Sequence, residues 1–370
     1  MNTQIQELLH CPQEYPSISV IIPTPTTNFE TVQGHIHLKK EVVRVVGSLM
    51  KEYPQPELVP VFTRLTQLID EHDFTHVVAG VALFANESYA TVVPLTFRIK
   101  EFATVGSVFA VSEVYDGTAH ESQYWVLSVS DKETRLYEAH NKILTEIISL
   151  DAQGNPIQGF PLQDLGPQEH EYKPIASGER NADYLDNHKK VFLKMVDNEL
   201  GKILKKKPLP VVVCCTVKNK SLFDGVTTHT KDIVAYKTAD YTHNSAYEVG
   251  QAVWPVVQEL FVAQEKKTIA KFEEAIGSSQ QAFGLHRVWE MACAGRIDVL
   301  LLERDFKVYG TVDASTPTNV IVYEKNIPSA GVDNLIDVLL IKVHQQRGKI
   351  VFVAKDALQE FEHVGAILRY

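Results

Sequence analysis

Residues 209–217 read "LPVVVCCTV", an unbroken apolar stretch from Val211 to Cys215. Successive side chains on a strand point to opposite faces, so a strand over these residues is apolar on both. Such a strand needs helices covering each side of its sheet. Helical patterns flank it in the chain. One runs from Asn181 to Lys207, with Leu185, Phe192, Met195, Val196, Leu200 and Ile203 on its apolar side. The other runs from about Ser245 to Ile276. The fold class implied is therefore α/β.

The pattern before and after this centre divides the chain. "SISVIIPTP" near the start is an apolar strand stopped by Pro23 and Pro25, and helical periodicity follows over Phe29 to Met50 and over "PELVPVFTRLTQLIDEHD". The spacing predicts an N-terminal α/β domain over 1–121. "YWVLSVSDKETRLYEA" holds two alternating strands meeting at Ser130-Asp131-Lys132, a hairpin that opens a second domain over 122–276. Within it, residues 149–180 show no regular period and are interrupted by Gly and Pro, which predicts an exposed loop. A third domain over 277–370 alternates a helix from Gln281 to Ala294, strands "IDVLLLE" and "NVIVYE", a helix "GVDNLIDVLLIKVHQQRG", a strand "KIVFVA" and a tail ending "GAILRY".

Bulk properties exclude several classes. With 45% apolar residues the chain can bury a sizeable core, yet no run approaches the ~20 apolar residues of a membrane span. The N-terminus lacks the pattern of a secretory signal. Four cysteines without a C-x-x-C pair, two of them adjacent, suggest reduced thiols in a cytoplasmic protein. The net charge of −10 on its own argues against a free nucleic-acid binder, and no DNA partner is expected. Against that background, residues 189–220 carry nine lysines and only Asp197 and Glu199. Lys189, Lys190, Lys194 and Lys202 fall mostly away from the apolar side of their helix, which makes them solvent-facing candidates for phosphate contact.

Familiar catalytic and cofactor motifs are missing. The sequence has no P-loop, no dinucleotide-binding glycine motif, no nucleophile elbow and no zinc spacing, and no cofactor or metal is expected. His35 and His37 stand two apart on a helix and do not share a face. Asp131 fits a turn role, and Asp298, Glu303 and Asp305 fit the solvated ends of a strand. A two-metal nuclease would need clustered carboxylates that the sequence does not display.

The order of the pieces resembles one family. The hairpin, the long loop, the lysine-bearing helix, Ala294-Gly295-Arg296-Ile297-Asp298 with its strand, and the closing Ala366-Ile367-Leu368-Arg369-Tyr370 are similar to the bacterial and archaeal relatives of the eukaryotic class-1 release factor and Pelota. The resemblance implies three domains, the middle one RNase-H-like. The C-terminal one would be an α/β/α layer akin to kink-turn-binding ribosomal proteins. It implies the ribosome and its RNA as partner, with room for a translational GTPase that delivers the protein, and no membrane. Arg296 becomes a further candidate for RNA or partner contact. The loop corresponds to the one in which release factors carry Gly-Gly-Gln, and that motif is absent here. Gly154 and Gly159 are isolated, Gln158 has no glycine pair before it, and Arg180 closes the loop. The family's binding role is therefore carried over and its hydrolysis is not. The expected function is a non-hydrolytic, A-site-binding factor in rescue or hibernation. A nuclease or phosphoesterase and a protein-interaction scaffold are the alternatives.

Overall fold

The computed structural model describes residues 3–24, 32–53, 56–72, 79–95, 97, 99–119, 123–149, 159–164, 178–276, 280–323 and 332–370, and the statements below concern these. They fall into two compact units. Residues 1–121 and 265–370 make one, and residues 122–264 make the other.

The first unit begins with α1 (Thr3–His10), β1 (Ser17–Pro23), α2 (Val32–Glu52), α3 (Val59–Glu71), β2 (Gly80–Ala85), β3 (Ala90–Leu95), β4 (Phe102–Gly106) and α4 (Ser112–Ala119). Its strands form an antiparallel sheet in the order β3-β2-β1-β4. β1 is buried on both faces. Ile18, Val20 and Ile22 pack with Leu38, Val42, Phe62 and Leu65 of α2 and α3, whereas Ile21 joins a core shared with residues 282–368.

The second unit holds β5 (Gln123–Val129), β6 (Glu133–His140), β7 (Ile143–Glu146), β8 (Leu162–Gln163), α5 (Gly178–Lys206), β9 (Val211–Cys215), α6 (Val217–Asp224), β10 (Ile233–Thr238) and most of α7 (Ala246–Glu274). Its sheet runs β10-β9-β5-β6-β7, with β8 added on β6. β5 and β6 pair antiparallel around a turn in which Ser130 N donates to the Glu133 carbonyl at 3.0 Å, as the hairpin pattern anticipates. β9 lies parallel to both β5 and β10. Val211, Val213 and Cys215 face α5, and Val212 and Cys214 face the Val249–Val257 stretch of α7. The two-faced apolar strand is thus covered on both sides.

The expectation of an exposed loop over 149–180 is corrected where the chain is described. Phe160 and Leu162 are buried, β8 pairs with β6, and α5 already starts at Gly178. Two apolar side chains reaching the core outweigh the breaker residues around them.

The first unit continues with β11 (Gln281–Phe283), α8 (Leu285–Cys293), β12 (Ile297–Glu303), β13 (Tyr309–Val312), β14 (Val320–Val322), β15 (Asp333–Asn334), α9 (Leu335–Gln345), β16 (Lys349–Val353) and β17 (Val364–Leu368). β11-β17-β12-β16 form a sheet, with β12 and β16 parallel. The "GAILRY" tail is therefore mostly a strand, paired on both sides. The helix expected from Gln281 begins at Leu285, because the three residues before the Gly284 N-cap pair with β17. Gly295 has φ +70°, and the Arg296 N–H returns to the Met291 carbonyl at 3.1 Å. A glycine there ends α8 without the strain a side chain would meet.

Two aspartates near the start of α9 tie the two stretches of this unit together. Asp333 accepts from Ser107 N at 2.7 Å, and the buried Asp337 accepts from Ser112 N at 2.6 Å. Burial pushes the Asp337 carboxyl up to about 7, against the pull of its Ser112 hydrogen bonds and helped by Glu113. The folded state then holds this proton over a range in which the unfolded chain, with an ordinary carboxyl pKa of ~4, has released it. Stability from this group is present at low pH and is lost as pH rises from about 4 to about 7. Asp337→Asn should flatten that dependence and raise stability at pH 8 by on the order of 3–4 kcal/mol. Urea midpoints at pH 5 and pH 8 measure this, and equal pH dependence in both proteins would refute it.

Candidate nucleic-acid interface

The lysine-rich helix α5 is held by its other face. Phe192, Leu193, Val196, Leu200 and Leu204 recur at helical spacing and pack with Trp125, Leu127, Val129, Val211 and Val213. Asp197, also on the inner side, accepts from Thr227 Oγ1 at 2.7 Å, Thr228 N at 3.0 Å and Thr228 Oγ1 at 2.8 Å. These contacts fix the rotation of the helix about its axis. Lys190, Lys194, Lys202, Lys205 and Lys206 are consequently exposed.

Lys189 departs from the sequence reading. It is 9% exposed rather than solvent-facing. Its Nζ donates to the Ser130 carbonyl at 2.9 Å and the Asp131 carbonyl at 2.7 Å, and lies 3.4 Å from Asp164 Oδ2. It also sits 4.8 Å from the centre of the Phe192 ring. Desolvation holds its pKa below the usual lysine value, partly offset by Asp164. The hairpin turn supplies carbonyls and the β8 end supplies a carboxylate, so the ammonium is drawn inward. The same Asp164 accepts from His188 at 2.9 Å, and Asp131 Oδ1 accepts from Asn219 at 3.1 Å.

The acidic side chains along residues 185–206 are all engaged. Asp186 pairs with Lys218 at 2.8 Å, Glu199 with Lys202 at 2.6 Å, and Asp197 is spent internally. Among the described residues, no carboxylate lies within ion-pair distance of Lys190, Lys194, Lys205 or Lys206. The exposed face of α5 is thus positively charged in a chain whose net charge is −10. Lys205 and Lys206, which belong to the lysine-rich stretch over 189–220 without standing out in it, are exposed as well.

The remaining candidates are placed differently. Arg296 belongs to the first unit and is half-buried. It donates to the main-chain oxygen of Tyr370, stacks at 5.2 Å over that ring, and lies 3.8 Å from Met291 Sδ. Its guanidinium closes the end of β17 against the end of α8. Gly159 is in the second unit with φ +147°, and a Cβ there would meet Ser149 Oγ at 2.1 Å. Arg180 lies on α5, with its side chain outside the described residues, as are Gly154 and Gln158. Glu303 is not a solvated strand end. It is buried and accepts from His363 Nδ1 at 2.8 Å, Asp356 N at 3.1 Å and Leu358 N at 2.5 Å. Among the described residues, no group of three or more His, Cys, Asp or Glu side chains is arranged to hold a metal ion. No described helix is long and apolar enough to cross a membrane.

A search of curated proteins returns no match. Among solved structures, the chain is similar to the C-terminal domain of a peptide chain release factor from Methanosarcina mazei, with 21% identity over 33% of this chain and 92% of that one, and a TM-score of 0.28. It is similar to Pelota from Archaeoglobus fulgidus, with 13% identity over 78% of this chain and 79% of that one, and a TM-score of 0.34. It is also similar to archaeal Pelota in a model of its ribosome-bound state with ABCE1, with 11% identity over 100% of this chain and 94% of that one, and a TM-score of 0.44. Superpositions this loose carry no functional argument. The sequence model of the bacterial archaeo-eukaryotic release factor family 3 matches residues 123–296, which include the hairpin, α5 and the Arg296 joint. That span is a little under half of the chain, and over it the chain is similar to the release-factor-like family.

Proposed function

We propose that this protein is a non-hydrolytic, ribosome-associated factor that acts in translation stress, rescue or hibernation by occupying the A site, with a translational GTPase as its delivery partner. The observation that carries this reading is the exposed lysine face of α5, lying inside the segment that matches the release-factor family. A chain of net charge −10 has no general attraction to RNA, so a local basic face must supply it. The absence of Gly-Gly-Gln between residues 149 and 180 supports binding without peptide release.

The sheet of the second unit supports an RNase-H-like middle domain. Numbered within that unit, without β8, its strands run 5-4-1-2-3, the first three antiparallel and the next two parallel to the first. The layer formed by β11, β12, β16 and β17 with α8 and α9 supports the reading of a C-terminal α/β/α domain. A nuclease reading finds less support, since the Asp131 and Asp164 carboxylates are taken up by Asn219, His188 and Lys189.

Sedimentation through sucrose with ribosomes from growing and starved cells tests the proposal. The expected result is co-sedimentation at low salt that fades as salt is raised. Absence from the ribosomal pellet under both conditions would favour the scaffold reading.

A further inference from the structure

Lys190, Lys194, Asn198, Lys202 and Lys206 follow one another at intervals of four residues, and all five are exposed. Four residues of α-helix rise about 6 Å, so these side chains form a single row with rungs that far apart. Neighbouring phosphates on one nucleic-acid strand have a similar through-space separation, because the winding backbone is longer than its ~3.4 Å axial rise. The row also drifts around the helix by about 40° per rung, which suits a strand free to curve. The adjacent row of Asn187, Val191, Met195 and Glu199 carries no lysine. Lysine is therefore confined to one ridge over most of the helix, with Lys205 the exposed exception.

We infer that this ridge is a phosphate ladder for one strand of single-stranded RNA, read without regard to sequence. The inference rests on the ribosome-associated reading and sharpens it by naming what the helix touches. Each ammonium is a flexible point charge that meets one phosphate, and such contacts position a strand without reading its bases. Lys202, itself exposed, exchanges the half-buried Glu199 for a phosphate at little cost, since ion pairs at the surface are weak. Asn198 is the one rung without charge. It sits at the centre of the row, so a lysine there completes five consecutive rungs.

Two variants with equal added charge separate a ladder from a general basic surface. Asn198→Lys fills the gap in the row, and Asn187→Lys places the same charge on the adjacent row. Both are exposed helical positions where lysine is a better helix former than asparagine, so folding is preserved. Binding is measured by fluorescence anisotropy with a single-stranded RNA 12-mer of mixed sequence, with the same 12-mer in a duplex as comparison. A new phosphate contact on a single strand adds about 0.7 to the log–log salt slope, which is about fivefold in affinity near 0.1 M salt. The expected result is that gain for Asn198→Lys, less than twofold for Asn187→Lys, and weaker binding of the duplex than of the single strand. Equal gains for the two variants would overturn the ladder. Tighter duplex binding would overturn the single-strand assignment. A wild-type protein that sediments with ribosomes yet binds neither RNA would overturn the ladder and leave the ribosomal reading standing, whereas failure to sediment removes that reading itself.

Discussion

Replacing Lys190, Lys194, Lys202 and Lys206 by glutamine together is expected to lower ribosome affinity about a thousand-fold near 0.1 M salt. Four lost phosphate contacts at roughly 0.7–0.9 units of log–log slope each remove about three units in all. The loss should shrink steadily as salt rises, because it is counterion release that has been removed. All four side chains are exposed, so the fold should survive, with stability within ~0.5 kcal/mol per site. Lys189 is left out of this set deliberately, since its ammonium is engaged inside the protein and cannot meet RNA without leaving its partners. Filter binding or sedimentation across a salt series measures both quantities. A variant that retains the affinity and slope of the parent would move the contact off α5.

Lys189→Met is expected to destabilise the second unit by about 3 kcal/mol while changing little on the exposed face. The methionine keeps most of the stem that lies along Phe192, so the change isolates the ammonium. Its removal leaves the Ser130 and Asp131 carbonyls without a donor and takes the cation from beside Asp164. Breaking a buried ionic contact on one side costs roughly 3–5 kcal/mol, and His188 still bonded to Asp164 places this case at the lower end. Lys190→Met, one residue away and exposed, is the control, with an expected change below about 0.5 kcal/mol. Urea unfolding followed by circular dichroism distinguishes the two. Equal midpoints would mean that the buried ammonium contributes nothing net.

Lys189 also shows where sequence reasoning stops. Helical periodicity correctly separates Phe192, Val196 and Leu200 from Lys190 and Lys194, because both sets are decided by position on one helix. The fate of Lys189 is decided by Asp164, 25 residues earlier, at the end of a stretch with no regular pattern, and by carbonyls in a turn 58 and 59 residues away. Nothing local announces those partners. The β5–β6 hairpin and the two-faced β9 were legible for the opposite reason: alternation, turn chemistry and continuous apolarity all lie within the segment concerned. "GAILRY" reads as a tail because it is short and terminal, and only its pairing with β11 and β12 makes it a strand. Glu303 and Arg296 follow the same rule. Their partners, His363 and Tyr370, lie 60 and 74 residues further along the chain.

The burial of β9 on both faces gives its two adjacent thiols separate reporting roles. Burial pushes Cys214 up to about 12 and Cys215 up to about 11, so neither offers thiolate to an alkylating reagent while the layers stay closed. Cys214 lies under α7 and Cys215 under α5. Neighbours in the chain, they are separated by the thickness of a sheet. Their order of labelling therefore records which helical layer lifts first, and the molecule carries its own pair of reporters for opening on the α5 side or the α7 side.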